Sequence, residues 1–231
     1  MAEGKFIAFE GLDGSGLTTQ AELLRNWFLK KSLECYLTKE PTDGPVGAII
    51  RLALAKRLTY VSGQAQFEGL DQVTLALLFG ADRMDHLATD IVPKLKLGIN
   101  VITDRYYLSS YAYQGLDIDL DWLRRINQFA RVPDLTLIVD TPAQIAEKRM
   151  LRQRWHVELY EDVMKLEQVR QTYLSIAKEL LFKGERIAVV DGSDTAQSVH
   201  KSVLKAVQAV LWKGARKKRS APLVDQLSFH Q

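Results

Sequence analysis

The amino-acid sequence predicts an α/β fold, a three-layer sandwich in which helices cover both faces of a five-stranded parallel sheet. Short apolar runs alternate with longer stretches of helical periodicity, which is the pattern of repeated βα units. Residues 99–104 and 135–140 are near-continuous runs of β-branched and aliphatic residues, as strands buried on both faces usually are. A glycine-rich turn separates the first apolar run from the first helical stretch.

Five strands and seven helical stretches are expected. The strands are residues 5–10, 34–39, 99–104, 135–140 and 186–190. The helical stretches are residues 18–31, 47–55, 66–97 (which we expect to be broken), 121–131, 143–154, 159–182 and 195–212. Ligands of parallel sheets bind beyond the carboxyl ends of the strands. Functional residues should therefore follow Glu10, Lys39, Asp104 and Asp140.

Length and composition are those of one domain. The chain has 231 residues, of which 47% are hydrophobic, and we assign residues 1–212 to a single domain. No apolar run approaches the roughly 20 residues of a membrane helix, and no signal-peptide pattern is expected at the N-terminus. Cys35 is the only cysteine, which excludes an internal disulfide and favours a reducing, cytoplasmic location.

Positive charge is concentrated near the C-terminus. The net charge is +3, but residues 213–231 carry +4, which leaves about −1 for residues 1–212. A nearly neutral body argues against specific nucleic-acid binding. We expect the basic tail, residues 213–231, to be flexible and solvated, with a weak phosphate or RNA contact as the alternative.

The glycine-rich turn fits a phosphate-binding loop. Gly11, Gly16 and Thr18 match the pattern G-x-x-x-x-G-K-[ST], so the fold is expected to be of the P-loop NTPase type. Glycines let successive backbone N–H groups point at phosphate oxygens, and the following helix adds its positive dipole end. A plain tight turn is the alternative. The predicted ATP phosphate-binding residues are Gly11, Asp13, Gly14, Ser15, Gly16, Leu17, Thr18 and Thr19.

The loop departs from this pattern at Leu17, where a lysine is usual. That lysine neutralises charge on the transferring phosphoryl group, and positioned charges of this kind carry much of the catalysis. Either another cation replaces it, or the protein is slow or inactive.

An acid and an arginine follow the third predicted strand. Asp104 is placed to hold Mg²⁺, partly through water, together with the Thr18 hydroxyl. Arg105 would lie in the same crevice and clamp an acceptor phosphate. The alternative is a helix-capping aspartate beside a surface arginine.

Four stretches together resemble thymidylate kinases. They are residues 9–16 (FEGLDGSG), 39–42 (KEPT), 77–83 (LLFGADR) and 104–115 (DRYYLSSYAYQG), and a weaker match covers residues 166–174. The last of the four is the most specific, and the resemblance spans about residues 5–212. It implies transfer of the γ-phosphoryl group of ATP to dTMP, giving dTDP for dTTP synthesis.

The resemblance also implies which side chains bind dTMP. Asp13 would accept a hydrogen bond from the 3′-hydroxyl, and Phe79 would stack on thymine, a contact that every base can make. Arg83, one helical turn later, would reach the base or its phosphate. Ordinary helix core explains Phe79 equally well, and a surface ion pair with Asp82 or a nearby acid is the alternative for Arg83.

Further dTMP-binding residues follow from the same resemblance. Glu40 would help hold the magnesium–water network or the loop, Pro41 would shape the turn, and Arg51 would be a second phosphate clamp unless it is an exposed helix residue. Hydrogen bonds to the thymine edge are expected from Ser109, Ser110 and Gln114. Tyr113 would pack where a ribose carries its 2′-hydroxyl and so select the deoxy sugar.

In this family the helix that starts at residue 143 leads into a lid over ATP, here about residues 143–158. The stretch contains Arg149, Arg152 and Arg154. We expect Arg149 or Arg154 to supply the charge that Leu17 lacks. The predicted catalytic residues are therefore Asp104, Arg105, Arg149 and Arg154. Residues 155–158 read WHVE where the family commonly has DRFE, and a solvated basic helix is the alternative.

The remaining expectations concern cofactor, partners and competing functions. The four histidines show no ligand-like spacing, so Mg²⁺ is expected to arrive with ATP. The family is usually dimeric, which implies a homodimer. Two alternatives stay open: a kinase for another nucleoside monophosphate, and a non-catalytic nucleotide-binding protein that has lost its P-loop lysine.

Overall fold

The computed structural model describes residues 2–61, 67–153 and 163–211. Its strands are β1 (Phe6–Gly11), β2 (Cys35–Lys39), β3 (Thr59–Val61), β4 (Phe67–Gly69), β5 (Asn100–Asp104), β6 (Leu135–Asp140) and β7 (Ile187–Asp191). Five of them form one parallel sheet in the order β2-β5-β1-β6-β7, while β3 and β4 pair antiparallel. The predicted five-stranded parallel sheet is confirmed.

Helices precede or follow each strand of the main sheet. They are α1 (Leu17–Lys30), α2 (Pro45–Leu54), α3 (Gln72–His86), α4 (Val92–Lys96), α5 (Tyr107–Ser109), α6 (Leu120–Ile126), α7 (Ala143–Gln153), α8 (Val163–Phe182) and α9 (Ala196–Leu211). One π-helical turn, Leu87–Ile91, joins α3 to α4, and another, Ser110–Gln114, continues α5. Within the described residues, no helix combines the length and apolarity needed to cross a membrane.

Two apolar layers hold the helices to the sheet. One contains residues of α1 and α9, packed on the face of β1 that carries Ile7 and Phe9. The other contains residues of α3, α5, α7 and α8, packed on the face that carries Phe6 and Ala8. Because side chains alternate between the two faces of a strand, both layers draw on β1, whose residues are all buried.

The parallel register brings the carboxyl ends of the strands to one edge. Asp104 of β5 lies opposite Phe9 of β1 and Lys39 of β2. On the other side of β1, Gly11 lies opposite Val139 of β6. The loops that follow β1, β2 and β5 therefore leave the sheet side by side.

The helix predicted for residues 66–97 begins later than expected. Residues 67–69 form β4, and α3 starts at Gln72 after Asp71, whose carboxylate accepts the Thr74 N–H at 2.9 Å. Strands of three residues are too short to show an alternating pattern, so the small hairpin was missed. The expected break takes the form of the π-helical turn Leu87–Ile91, just before Pro93, which lacks an N–H for the helical ladder.

The helix predicted for residues 121–131 ends at Ile126. The carboxamide of Asn127 donates to the Leu123 carbonyl at 2.8 Å and accepts a hydrogen bond from Arg83. A side chain that bonds a helical carbonyl and a distant residue ends the helix here. The pattern of apolar residues alone does not reveal this contact, because Arg83 is remote in sequence.

Candidate active site

The loop between β1 and α1 has the backbone that its glycines permit. Gly11, Gly14 and Gly16 have φ values of 150°, 77° and 96°, a region that side chains disfavour. A Cβ at Gly11 would lie 2.7 Å from the Val139 carbonyl oxygen, and one at Gly14 would clash with the Ala146 carbonyl. The loop is thus pressed against β6 and α7, which holds its shape.

The N-terminus of α1 faces a cavity of about 450 Å³. Gly16 is its N-cap and no side chain caps the helix, so its first N–H groups are available to a ligand. The cavity is lined by residues 12–20, by Asp104, Arg105 and Arg149, and by the loop that follows β7. Uncapped N–H groups at a positive dipole end form an anion site. The predicted phosphate-binding residues are therefore brought together, although their role stays a prediction.

Leu17 is a core residue as well as a loop residue. Its side chain is 5% exposed and belongs to the apolar layer that contains α1 and α9. The cations that line the cavity among the described residues are Arg105 and Arg149. Among the described residues, these two are therefore the cations placed to replace the missing lysine.

Thr18 and Asp104 meet at the edge of the cavity. The Thr18 hydroxyl donates to the Asp104 carboxylate at 2.6 Å, although the residues are 86 positions apart. A hydroxyl and a carboxylate are hard oxygen donors, and Mg²⁺ typically takes one or two such protein ligands besides phosphate and water. In the part of the chain that is described, no three His, Cys, Asp or Glu residues could hold a metal. The pair therefore fits a metal that arrives with a phosphate ligand.

Arg105 links the end of β5 to the phosphate loop. Its Nη2 donates to the Asp13 carboxylate at 2.5 Å, and its Nη1 donates to the Gly11 carbonyl and the Ser109 hydroxyl at 3.0 Å each. The guanidinium carbon also lies 5.3 Å from the centre of the Tyr113 ring. A partly exposed arginine at the mouth of an anion site can bind a second phosphate.

Asp13 is held by two neighbours. Its backbone N–H donates to the Tyr113 hydroxyl at 2.9 Å, while its carboxylate pairs with Arg105. The carboxylate remains 42% exposed, so it is accessible to a ligand hydroxyl. Tyr113 thus contacts the phosphate loop directly, and its predicted contact with a sugar stays a prediction.

Glu10 is a buried acid of the site to which the sequence assigned no role. Its carboxylate accepts the backbone N–H groups of Tyr106 and Leu108 at 3.0 and 3.1 Å and the Ser109 hydroxyl at 2.6 Å. Burial raises the pKa of this carboxyl to about 7, against the opposing effects of the Ser109 hydrogen bond and the Arg105 charge. The available signal was an acid in an otherwise apolar central strand.

Arg83 and Glu40 form a buried ion pair. Arg83 is 1% exposed; its Nε and Nη2 lie 2.9 and 2.8 Å from the Glu40 carboxylate. His86 Nδ1 lies 3.1 Å from the other Glu40 oxygen, and His86 Nε2 lies 2.8 Å from the Thr38 hydroxyl. Arg83 is therefore neither on the surface nor paired with Asp82, whose carboxylate instead accepts from Thr42.

The predicted thymine-edge residues follow Arg105 in the chain, and one of them contacts this ion pair. Ser110 accepts a hydrogen bond from Arg83 at 3.3 Å, and Ser109 is engaged with Glu10 and Arg105. Gln114 is buried, and its Oε1 has no hydrogen-bond partner among the described residues. Phe79 is half-buried on α3. The contacts of these four side chains with a base stay predictions.

Arg51 lies beside the loop after β2. Its Nη1 donates to the carbonyls of Pro41 and Thr42 and lies 3.5 Å from the Asp43 carboxylate. The side chain is partly exposed, which agrees both with a phosphate clamp and with an exposed helix residue. Its bonds to backbone carbonyls show that it braces this loop in the present state.

Arg149 contacts the far wall of the cavity. Its guanidinium donates to the carbonyls of Gly192, Ser193 and Asp194 at 2.8, 3.2 and 3.2 Å. In this state it therefore braces the loop after β7. Arg154, residues 154–158 of the predicted lid and the basic tail, residues 213–231, lie outside the described residues.

Comparisons with known proteins agree on one family. The family model described as thymidylate kinase matches residues 9–203. Probable thymidylate kinases of Pyrococcus horikoshii and Pyrococcus abyssi are each 38% identical over 207 residues, covering 89% of this chain and 96% of the relative. That of Thermococcus onnurineus is 37% identical over 212 residues, covering 90% of this chain and 99% of the relative.

The buried ion pair generates a prediction for stability. Arg83→Met should lower the free energy of unfolding by about 3–5 kcal/mol, because the Glu40 charge would stay buried without its main partner. Arg131→Met is the matched control, since the Arg131–Glu3 pair is partly exposed and should contribute much less to stability. Denaturant titration of both variants measures the difference. Equal losses would contradict a dependence of Glu40 on Arg83.

Proposed function

The chain belongs to the thymidylate kinase family, and we propose that it transfers the γ-phosphoryl group of ATP to dTMP, forming dTDP and ADP. The observation that carries the proposal is the contact of Arg105 with Asp13 and Gly11. This contact supports the proposal because the guanidinium proposed to bind the acceptor phosphate lies directly against the phosphate loop. Donor and acceptor phosphates bound on either side of that contact would be held next to each other, which is the main requirement of phosphoryl transfer.

On the donor side, the loop binds the phosphate tail of ATP. Its N–H groups and the N-terminus of α1 supply the fixed dipoles. Thr18 and Asp104 would hold Mg²⁺, Asp104 partly through water, and the metal would neutralise phosphate charge. The 2.6 Å hydrogen bond between the two side chains supports this assignment, because it places both oxygens at one corner of the cavity.

On the acceptor side, Arg105 turns from Asp13 to the dTMP phosphate. Asp13 is then free to accept a hydrogen bond from the 3′-hydroxyl, and Tyr113, bonded to the Asp13 N–H, lies against the sugar. Phe79 stacks on the base, and Arg51 is the second phosphate clamp. Gln114 presents to the thymine edge its Oε1, which has no hydrogen-bond partner in the described part of the chain, beside Ser109 and Ser110. Glu40 and Pro41 maintain the loop through the buried pair with Arg83.

The charge that Leu17 lacks is supplied by Arg149 or by Arg154. Arg149 lines the cavity, and within the described residues its three acceptors are backbone carbonyls of one loop. Movement of the guanidinium from these carbonyls to the donor phosphates would exchange neutral acceptors for charged ones, which is favourable. Arg154 remains a second candidate from the sequence.

The protein is proposed to act as a homodimer in the cytoplasm. Ile49 and Leu52 on α2, and Val73 and Leu77 on α3, are exposed apolar residues at helical spacing. Since α2 packs against α3, the two faces adjoin. Adjoining apolar helix faces are typical of an interface between subunits. The cytoplasmic location follows from the single cysteine and from a nucleotide precursor as substrate.

The activity is tested by coupled ADP release with ATP, Mg²⁺ and a panel of monophosphates. We expect dTMP to give the highest kcat/KM, and Arg105→Ala to lower kcat/KM for dTMP at least about 100-fold through loss of the phosphate clamp. Arg124→Ala, which removes an arginine paired with Asp121 and Glu179, should retain activity. Preference for another acceptor would indicate a different monophosphate kinase. Nucleotide binding without any turnover would indicate a non-catalytic protein.

The missing lysine is tested by paired substitutions. Arg149→Ala should lower kcat at least about 10-fold if its charge stabilises the transferring phosphoryl group. Lys148→Ala, at the neighbouring exposed position of α7, is the control and should leave kcat unchanged. Leu17→Lys in the Arg149→Ala background should restore part of the loss. If Arg149→Ala retains full kcat, Arg149 does not compensate, and Arg154→Ala is the next variant.

The dimer is tested by light scattering after size-exclusion chromatography. The wild-type protein should have twice the mass of one chain, and a Leu52→Asp/Leu77→Asp variant should be monomeric, because charges at both sites would be buried in the interface. Leu97→Asp, at an exposed leucine beyond α4, should remain dimeric. A monomeric wild type, or a dimeric double variant, would contradict the assignment of this face.

A further inference from the structure

Glu10 is enclosed at the point where β1 passes the end of β5. One carboxylate oxygen, Oε1, accepts the backbone N–H groups of Tyr106 and Leu108. The other, Oε2, accepts the Ser109 hydroxyl at 2.6 Å and lies 3.3 Å from the Tyr173 hydroxyl. Each of these four groups can donate a hydrogen bond to Glu10, and three of them belong to the turn that begins immediately after Arg105. An acceptor-only carboxylate is suited to this set of donors.

The backbone of this turn is in a conformation that needs support. Arg105 has φ 71°, in the left-handed region that residues other than glycine disfavour. Its own N–H donates to the Phe9 carbonyl at 2.9 Å. Together, Phe9 and Glu10 of β1 bind the turn on both sides of Arg105. The direction in which the Arg105 side chain leaves the backbone depends on these contacts.

The side chains of Ser109 and Tyr173 hold the Arg105 guanidinium in turn. Serine has one hydroxyl proton, and Ser109 donates it to Glu10. The lone pairs of Ser109 Oγ are then left to accept from Arg105 Nη1 at 3.0 Å. The Tyr173 hydroxyl of α8 lies 2.8 Å from Ser109 Oγ and 3.5 Å from Arg105 Nη1. Glu10 thus determines which way the Ser109 hydroxyl points, and through it how Arg105 is held.

We propose that Glu10 is a positioning residue for Arg105, holding the turn and the Ser109 hydroxyl so that the guanidinium faces the acceptor phosphate. Glu10 does not touch the substrate; it acts through Arg105. The inference rests on the proposed function, since Arg105 acts on a phosphate only if the site binds a nucleotide acceptor. It adds a residue of β1, outside the phosphate loop, to the parts on which transfer depends.

Thymidine separates positioning from general structural support. Thymidine shares the base and sugar of dTMP but lacks the phosphate that Arg105 would bind. If Glu10 positions Arg105, its loss should weaken binding of dTMP and spare binding of thymidine. If Glu10 only supports the fold, both ligands should bind less well, in parallel with a fall in thermal stability.

The test variant is Glu10→Gln, which keeps the size and one carbonyl oxygen of the side chain. That oxygen can still accept the Tyr106 and Leu108 N–H groups, but the new NH₂ donates to Ser109 Oγ and competes with Arg105. We expect the dTMP dissociation constant, measured by calorimetry, to rise about 10-fold and kcat to fall between about 10- and 100-fold. Thymidine affinity and the KM for ATP should change less than about 2-fold.

Glu185→Gln is the matched control. The Glu185 carboxylate accepts the Tyr107 hydroxyl at 2.9 Å, so it bonds the same turn without contacting Arg105. It should leave dTMP binding, thymidine binding and kcat unchanged. If Glu10→Gln does not fold, Glu10→Asp keeps the carboxylate but withdraws it from the Ser109 hydroxyl, and the selective loss of dTMP affinity should persist there.

Three outcomes separate this inference from the proposed function. Wild-type protein that neither binds nor phosphorylates dTMP would overturn the proposed function and this inference with it. Wild-type activity together with unchanged dTMP affinity and kcat in Glu10→Gln, or in Glu10→Asp where Glu10→Gln does not fold, would overturn the inference alone. If the variant binds thymidine and dTMP less well to the same extent, the inference is also overturned. The substitution would then affect binding of the base or the fold, and not binding of the phosphate.

Discussion

The contact between Arg105 and the phosphate loop is the interaction on which the site depends. It joins the ends of two neighbouring strands, β5 and β1, and places one guanidinium against the Asp13 carboxylate and the Gly11 carbonyl. Without it, the donor loop and the acceptor region would be two separate features of the same sheet edge. The parallel register makes the contact possible, since Phe9 lies opposite Asp104 and the residues after them lie adjacent.

The phosphate loop has an apolar, buried side chain, Leu17, at the position where a lysine is usual. Leu17 belongs to the layer shared with α9, and a lysine there would have to bury its stem and extend its ammonium to the cavity. The uncapped N-terminus of α1 and the Thr18–Asp104 pair remain in place. In the proposed function, binding of phosphate and metal therefore depends on backbone and oxygen ligands, and arginines from other elements neutralise charge during transfer.

Buried charges shape the acceptor side. Glu40, Arg83 and His86 form one connected group, and Asp82 binds Thr42 of the adjoining loop. Each polar atom in such a group needs its partner, because an unpaired buried charge costs several kcal/mol. These buried side chains are therefore held to one another. Arg105 and Asp13 are more exposed, and in the proposed function they change partners when the acceptor binds.

The sequence by itself determined the five-stranded sheet, the glycine loop, and the grouping of Thr18, Asp104 and Arg105 at one edge, because aliphatic periodicity and glycine spacing are local patterns. Only the tertiary structure decided what depends on distant pairing. In the folded protein, Arg83 is buried with Glu40 and Asn127, and α6 ends at Ile126. Glu10 has four hydrogen-bond donors around its carboxylate. An acid in a strand or an arginine on a helix has no assigned partner until remote elements pack together, and the partner determines its role.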